Sequence, residues 1–320
     1  MPDDRDVLGP ETGPGLLGNT YVGEAAATEV AVSRSIDHHG PDEPLAEKKL
    51  GVLFWIAVGW VALVALAAIF ANVLPLHSPT YEDFTAINAR PSAQFLLGTD
   101  DNGRDLLSRL IFGARVSLVI GFVSVAVGLA IGGTLGLISG YRGGKLDSFL
   151  NAASFVVLAF PLIVALIAII SFWTPPTLFK ITVILAAGTI PLFYRVVRAT
   201  TLAFANRDFV IAARTLGATN RRIIFREILP NVVPAAISFA LITVAIVIVL
   251  EGTLAFLGLS VSLPTPSWGN MIYQGTTNGD LTTNPYIMLW PALAMFLLLL
   301  AINIIGDRVR QRFDIREGLL

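Results

Sequence analysis

Side chains that could act as nucleophiles, metal ligands or cofactor anchors are scarce in this chain. It has no cysteine and three histidines among its 320 residues, which excludes disulfides, iron–sulfur clusters, cysteine-based zinc sites and thiol catalysis. His38 and His39 stand together beside Asp37 and Asp42, but an adjacent pair does not make a coordination shell. We assign no role to the third histidine, His77. The sequence therefore predicts neither a metal site nor a catalytic residue.

A glycine-rich stretch at residues 140–145 (GYRGGK) is the nearest approach to a phosphate-binding loop. In the motif G-x-x-x-x-G-K-[ST], backbone N–H groups and the lysine hold the phosphates of a nucleotide. Here Ser139 takes the place of the first glycine, and Lys145 is followed by Leu146. The stretch is better explained as a short loop, so we expect no bound ATP and no cofactor in this chain.

The composition indicates what kind of elements position these residues. The chain is 54% hydrophobic and 14% charged, with a mean hydropathy of +0.72, whereas soluble chains are about 45–50% apolar and about 25% charged. A net charge of −1 lacks the basic excess that a nucleic-acid partner requires. The composition excludes an ordinary cytosolic enzyme and predicts a membrane protein.

Apolar segments long enough to cross the hydrocarbon, which takes about 20 residues, recur along the chain. The fourth is the shortest, but it extends into apolar neighbours on both sides. We therefore predict an all-α membrane protein with six transmembrane helices, near residues 50–74, 116–140, 149–172, 181–194, 232–250 and 286–305.

Small residues and prolines predict how these helices pack and bend. The second segment has a glycine at every fourth position, which lets helices approach closely. Pro161 and Pro191 are expected to kink the third and fourth helices. The four glycines are Gly128, Gly132, Gly136 and Gly140.

The placement of lysine and arginine predicts the orientation. With the N-terminus in the cytosol, the inside segments carry 17 of these residues and the outside segments 5, as the positive-inside rule requires. We expect both termini to be cytosolic, in a multi-pass protein of a bacterial inner membrane.

The predicted organisation begins with an acidic tail. Residues 1–47 hold ten acids and two arginines, a net charge of −8 against +7 for the rest of the chain. A segment this polar buries too little apolar surface to offset the conformational entropy that it would lose on folding. We therefore expect a disordered cytosolic tail. Residues 48–115 would form the first transmembrane helix and an external segment. Residues 116–320 would form the core, with five spans, a cytosolic loop at 206–230 and a cytosolic C-terminal tail.

Ionisable side chains are almost absent from the predicted spans. Glu251 at the outer end of the fifth span and Asp147 at the inner mouth of the third are the exceptions. Ion-coupled carriers place such residues along their pathway, so ion coupling is disfavoured, and a partner on the cytosolic side would have to supply energy for uphill transport. At 1.5 Å per residue, Glu251 lies about 28 Å beyond Val232. We expect it to be ionised and to face a wet vestibule.

The cytosolic segment between the fourth and fifth spans could form a contact surface for such a partner. Asn206 or Asp208 can cap a helix, and Gly217 can end it. Four residues then share one apolar helical face: Phe209, Ala212, Ala213 and Leu216.

A second helix is predicted to follow at residues 221–229. Thr219 or Asn220 would cap it, and Pro230 would mark the return to the membrane. From periodicity alone, the helix pair could be a docking surface for a partner or an amphipathic hairpin on the lipid surface.

Several motifs carry a family resemblance. Residues 212–217 (AARTLG) with EILP at 227–230 resemble the cytosolic signature loop of ABC-importer permeases. Further stretches are similar to the second permease of dipeptide and oligopeptide (nickel) importers: LGTDDNGRD at 97–105, GARVSL at 113–118, GYRGG at 140–144, LAFP at 158–161, LAFLGL at 254–259 and PTPSWG at 264–269. The match covers residues 50–316. It departs from the family at Ile211, where the loop has a glutamate.

This resemblance implies the type I ABC importer permease fold, with a cytosolic coupling helix pair between spans four and five. It implies a peptide permease subunit without catalytic activity, which pairs with a homologous permease. One or two ATPase subunits would bind ATP and Mg, and an extracytoplasmic binding protein would deliver the peptide. Membrane lipid would surround the complex.

The resemblance also assigns site residues. The ATPase-coupling loop would comprise Asp208, Phe209, Ala212, Ala213, Leu216, Gly217 and Ala218. The pathway or outer gate would involve Glu251, Phe256 and Trp268, and the binding protein would dock near Asp100, Arg104 and Asp105. From the residues alone, Glu251 could equally be a structural acid, and the charges near 104 could hold the external segment to the headgroups.

Two alternatives remain open at this stage. One is a permease for nickel or another small solute. The other, from a different class, is a non-transporting membrane scaffold with six spans, although a scaffold has no need for a small-residue contact face on its cytosolic loop.

Overall fold

The computed structural model describes residues 51–277 and 282–317, with side chains up to residue 312. The predicted acidic tail, His38 and His39 lie outside the described residues. Within these ranges the regular structure is helical, and one isolated bridge joins Thr99 and Asp105.

Five helical stretches are long and apolar enough to cross a membrane, and a helix pair bent by 85° passes the same test when its two helices are taken together. Such a pair is a broken span or a re-entrant loop, and it is numbered here as the third of six spans. The first span is α1 (Val52–Phe70). The second joins α2 (Leu106–Gly128), a π-helical segment (Leu129–Gly133) and α3 (Thr134–Arg142). The third is the bent pair α4 (Gly144–Ala159) and α5 (Leu162–Phe172), and the fourth is α6 (Leu178–Ala205).

The cytosolic loop and the last spans follow. The short helix α7 (Asp208–Thr215) is separated by a turn from α8 (Asn220–Arg222), which leads through a second π-helical segment (Ile223–Ile228) into α9 (Leu229–Phe256). These last three form the fifth span. A short helix on the side predicted to be external, α10 (Trp268–Thr277), precedes the sixth span, α11 (Tyr286–Glu317).

The glycines of the second span allow a close helix contact, as predicted, and the structure shows that the contacted helix is the fourth span. A Cβ on Gly136 would lie 2.6 Å from the carbonyl oxygen of Tyr194, and one on Gly140 would lie 3.0 Å from that of Arg198. Cβ atoms on Gly128 and Gly132 would overlap α6 more severely still. The two helices therefore touch backbone to backbone along one face, the geometry that small residues at intervals of four permit.

The third span, predicted at 149–172 with a kink at Pro161, consists of two separate helices. It breaks at Phe160 and Pro161, and α4 and α5 meet at 85°. Proline has no N–H for the helical ladder, and it disfavours helical geometry in the residue before it. The break at Pro161 is thus confirmed, and α6 continues as a helix through Pro191.

The loop helix pair also differs from its prediction. The second helix does not stop before Pro230, because α8, the π segment and α9 form one continuous helical stretch from Asn220 to Phe256. Pro230 lies inside this stretch, just after the second π-helical segment, where its missing N–H removes one hydrogen bond of the helical ladder without ending the helix. The part of the loop that follows α7 is therefore continuous with the fifth span.

Two apolar clusters hold the helices together. The larger one fills the space between the spans and includes Ile120, Phe193, Ile248 and Leu298. The smaller cluster joins the loop to the inner ends of the second, fourth and fifth spans through Leu137, Val197, Val210, Ile223, Ile224, Ile228, Val232 and Ala236.

Candidate functional site: the cytosolic loop and the external polar cluster

The loop helix α7 is anchored by one side chain. Val210 is fully buried and belongs to the smaller apolar cluster, together with Ile223 and Ile228 of the fifth span. The N-cap residue is Arg207, without a side-chain cap, so the predicted capping by Asn206 or Asp208 is wrong. Asp208 instead lies in the first helical turn, where its negative charge interacts favourably with the positive end of the helix dipole.

Gly217 ends α7 in the predicted left-handed conformation, with φ +80°. Its N–H donates to the carbonyl of Arg214, and the N–H of Ala218 donates to the carbonyl of Ala213, both at 3.0 Å. These two bonds make a Schellman motif, which fixes the direction of the chain after the helix.

The outer face of α7 is apolar and exposed. Leu216 is 87% exposed, Ile211 52% and Phe209 40%. Ala212 is also exposed, whereas Ala213 and Ala218 are half-buried against the smaller cluster. The periodicity therefore identified the helix correctly but included Ala213, which faces inward, and missed Ile211, which faces outward. Exposed apolar side chains beside small ones form a surface that another protein can cover.

Polar contacts tie the turn after α7 to the second span. Thr219 accepts a hydrogen bond from the N–H of Arg222 and so caps α8, one of the two predicted caps. Tyr141, near the inner end of the second span, lies 2.9 Å from the side chain of Asn220 through its hydroxyl. Its ring also lies 5.8 Å from the guanidinium of Arg214.

A second polar contact joins the third and fourth spans near the same end of the molecule. Arg198 on α6 donates two hydrogen bonds to the carboxylate of Asp147 on α4, at 2.5 and 2.6 Å. The hydroxyl of Tyr194 lies 3.4 Å from the same carboxylate. Asp147, noted in the sequence only as an acid near a span, therefore joins the bent third span to the fourth.

Glu251 does not face an open vestibule. Its side chain is 1% exposed, and its Oε1 accepts hydrogen bonds from Ser260 at 2.6 Å and Ser267 at 2.8 Å. The expectation of a solvated, outward-facing carboxylate is therefore wrong, because residues 260–277 fold back over the end of the fifth span. Its Oε2 has no hydrogen-bond partner among the described residues.

The other two predicted gate residues differ in exposure. Trp268 is 1% exposed, and its indole N–H donates to the carbonyl of Leu110 at 2.9 Å. Phe256 is 56% exposed and packs edge-on against Tyr273, with ring centroids 5.9 Å apart. Of these side chains, only Phe256 presents a substantial surface.

The predicted docking residues Asp100, Arg104 and Asp105 are buried, between 2% and 6% exposed. Asp100 accepts a hydrogen bond from the Nε of Arg104 at 2.9 Å, and Asp105 caps α2 by accepting from Leu107 and Ser108 N–H groups. These side chains expose little surface in this structure, and their hydrogen bonds lie within the external segment and the start of α2. Docking of a binding protein at this segment stays a prediction.

Arg109 completes this network and was not selected from the sequence as a site residue. It is fully buried, donates to Gln274 at 2.9 Å and lies 3.3 Å from Asp100. It thereby joins the segment before the second span to α10. Arg109 lies four residues beyond the LGTDDNGRD motif, and nothing in the sequence nearby signals its burial, since the enclosing residues lie far away in the sequence.

The family model described as "binding-protein-dependent transport system inner membrane component" matches residues 132–317. The chain belongs to this family. It is thus a multi-pass inner-membrane transport component, and the family is one of transport subunits. The match includes the glycine-rich inner half of the second span, the bent third span and the whole cytosolic loop.

Curated relatives extend the match to most of the chain. It is 35% identical over 261 residues to the glutathione transport system permease protein GsiD of Pectobacterium atrosepticum, with 81% of this chain and 86% of that protein covered. It is also 35% identical over 272 residues to the dipeptide transport system permease protein DppC of Alkalihalophilus pseudofirmus, covering 84% and 87%. GsiD of an Escherichia coli O6:K15:H31 strain is 36% identical over 256 residues, covering 80% and 84%.

A solved structure shows the same fold. A chain of the MetNI methionine ABC transporter, in an inward-facing conformation, aligns with a TM-score of 0.55 and 24% identity over 65% of this chain and 97% of that chain. The all-α ABC importer permease fold predicted from the motifs is therefore confirmed.

Proposed function

We propose that this chain is a permease subunit of an ATP-driven importer of short peptides. It would form half of the pathway beside a homologous permease and would be coupled to ATPase subunits through α7. The relatives that support a peptide substrate are named for glutathione and dipeptide transport. The observation that carries the coupling role is the exposed apolar face of a helix whose other face is anchored to the fifth span.

In this proposal, a displacement of α7 would be passed to the fifth span. Val210 packs with Ile223 and Ile228, so a force on α7 is passed to the continuous helix that becomes the fifth span. The Tyr141–Asn220 contact extends the connection to the second span. Because packed interiors transmit strain rather than absorb it, partners that close on α7 would shift the spans together. ATP and Mg would be bound by those partners, and this chain would carry out no chemistry.

The external cluster would support the outer gate. Glu251 holds residues 260–277 over the outer end of the fifth span through its two serine hydrogen bonds. The exposed Phe256 would be the side chain of this group that meets the pathway. Asp100, Arg104 and Asp105 would fix the shape of the external segment on which a peptide-binding protein settles, without contacting it themselves.

The experiment is uptake of labelled dipeptide and glutathione into proteoliposomes containing the assembled complex, with ATP inside and the binding protein outside. We expect uptake that needs both. Leu216→Asp should lower uptake at least tenfold and weaken ATPase association, because it places a charge on the apolar contact face. Leu146→Asp, an exposed apolar position outside α7 that is 48% exposed, is the matched control.

Two outcomes would contradict the proposal. Uptake of nickel without uptake of any peptide would show that the substrate is a metal complex and not a peptide. Normal uptake and ATPase association with Leu216→Asp would show that α7 is not the coupling surface.

A further inference from the structure

A groove near the loop between the fourth and fifth spans has no role assigned so far. It lies between the inner half of the second span and the first turns of the fifth span, and its volume is about 580 Å³. Its walls are almost entirely apolar and include Leu129, Ile138, Val233 and Ile237. Val233 and Ile237 are 38% and 43% exposed, so the groove opens to the outside of the chain.

Both π-helical segments of the described residues line this groove. Leu129, Ala130 and Gly133 come from the first segment, and Ile224 and Phe225 come from the second. A π-helical turn is rarer than an α-helical turn and recurs at functional sites. The two segments therefore meet at one groove although they are distant in sequence.

The groove carries positive charge at one end. Arg142 and Arg221 line it, both are exposed, and no acidic side chain is among the lining residues. The residues that precede them, Tyr141 and Asn220, are hydrogen-bonded at 2.9 Å, which keeps the two arginines at the same end. A shallow depression beside it adds Arg222 and Arg226.

An apolar groove with arginines at its cytosolic end has the polarity of a phospholipid in the inner leaflet. The acyl chain would fill the apolar part, and the phosphate would accept hydrogen bonds from the guanidinium groups, which suit phosphate geometry. A neutral apolar occupant would make no use of the two arginines, whereas an anionic headgroup gains charge-assisted hydrogen bonds from them. We propose that one anionic phospholipid of the cytosolic leaflet occupies this groove, with its headgroup on Arg142 and Arg221.

This lipid would act as part of the coupling machinery. The groove lies between the second span and the stretch that connects α7 to the fifth span, so an occupant would hold these two elements at a fixed separation. The composition of the inner leaflet would then tune transport without touching the ATPase surface or the peptide pathway.

Native mass spectrometry of the purified complex tests this proposal, with added phosphatidylglycerol or phosphatidylcholine of identical acyl chains. We expect phosphatidylglycerol to be retained preferentially. The double variant Arg142→Gln/Arg221→Gln should weaken retention about 30-fold, since each arginine near a membrane surface contributes about 1 kcal/mol. Lys145→Gln, an exposed cation close to Arg142 that does not line the groove, should leave retention unchanged.

A second variant tests the apolar part without altering charge. Val233→Trp should fill the groove and abolish retention, whereas Val249→Trp, equally exposed farther along α9 at 45%, should not. A photoreactive residue in place of Ile237 should capture lipid. Capture of a second protein there instead, or equal retention of both lipids by all variants, would overturn the proposal. Neither result would affect peptide uptake by the unaltered complex, so the proposed function would stand or fall separately.

Discussion

Arg109 is fully buried at the outer end of the second span, and its partners lie in three separate parts of the chain. Besides Asp100 and Gln274, its guanidinium donates to the carbonyls of Pro79 at 3.2 Å and Pro264 at 3.4 Å. An arginine so placed satisfies groups that would otherwise be buried without partners. Its role is to position the external segment, which explains why its removal should disturb more than one element.

Replacing Arg109 with Gln should therefore destabilise the protein strongly. Removing one partner of a buried charge pair typically costs about 3–5 kcal/mol, since the remaining charge stays buried. Thermal unfolding in detergent should report a clearly lowered midpoint. The matched control is Arg90→Gln at an exposed position of the same external segment, where a change within about 0.5 kcal/mol is expected. Equal midpoints for the two variants would refute the positioning role.

Glu251 offers a test of hydrogen bonding against charge. Gln keeps an oxygen that can accept from Ser260 and Ser267, whereas Ala removes it and leaves two hydroxyls unpaired, at a cost of about 1–3 kcal/mol. We expect Glu251→Gln to hold residues 260–277 in place and Glu251→Ala to loosen them. The reporter is Val261→Cys, buried at 6% exposure, in a chain that has no other cysteine.

Maleimide should label this cysteine slowly in the Gln background and rapidly in the Ala background. If Gln loosens the segment as much as Ala does, the negative charge itself is required, and the interpretation of Glu251 as a hydrogen-bond acceptor is wrong.

The turn after α7 sets the direction in which the loop enters the fifth span. Gly217 has φ +80°, and a Cβ there would meet no atom within 4 Å. Any penalty of substitution is therefore a penalty of backbone conformation alone, about 1–2 kcal/mol for a residue with a Cβ. An effect of substituting Gly217 can therefore be attributed to the conformation of the turn, since the new side chain would contact no neighbouring atom.

Gly217→Val should lower peptide uptake several-fold while expression and membrane insertion hold. Gly217→Asn is the matched control, because asparagine adopts the left-handed conformation more readily than other residues with a Cβ. Proteoliposome uptake measures both variants. Uptake by Gly217→Val at the level of the unaltered chain would show that the turn does not transmit force.

The distribution of lysine and arginine predicts the orientation of the chain in the membrane. We expect α7 on the cytosolic side and the segment before the second span outside. Thr215→Cys and Phe84→Cys provide exposed reporters on the two sides, again without background cysteines. A membrane-impermeant maleimide should label Phe84→Cys in intact cells and Thr215→Cys only after lysis. The reverse pattern would invert the topology and remove the ATPase-coupling role of α7.

Features that depend on local sterics and hydropathy could be predicted from the sequence. The apolar runs specified the spans, because a helix that crosses the hydrocarbon must satisfy its own backbone. Pro161 specified the break in the third span, and Gly217 specified the left-handed turn. The glycines at intervals of four specified which face of the second span packs closely, since each of these features requires only near neighbours in the chain.

Only the tertiary structure decided which polar residues are enclosed. Asp100, Arg104 and Glu251 look like surface charges at span ends, but segments distant in sequence cover them, and Arg109 meets Gln274 across 165 positions of the chain. The two π segments that shape the groove also come from opposite sides of the fourth span in sequence. Burial and convergence of this kind depend on long-range packing, for which hydropathy along a single chain carries no signal.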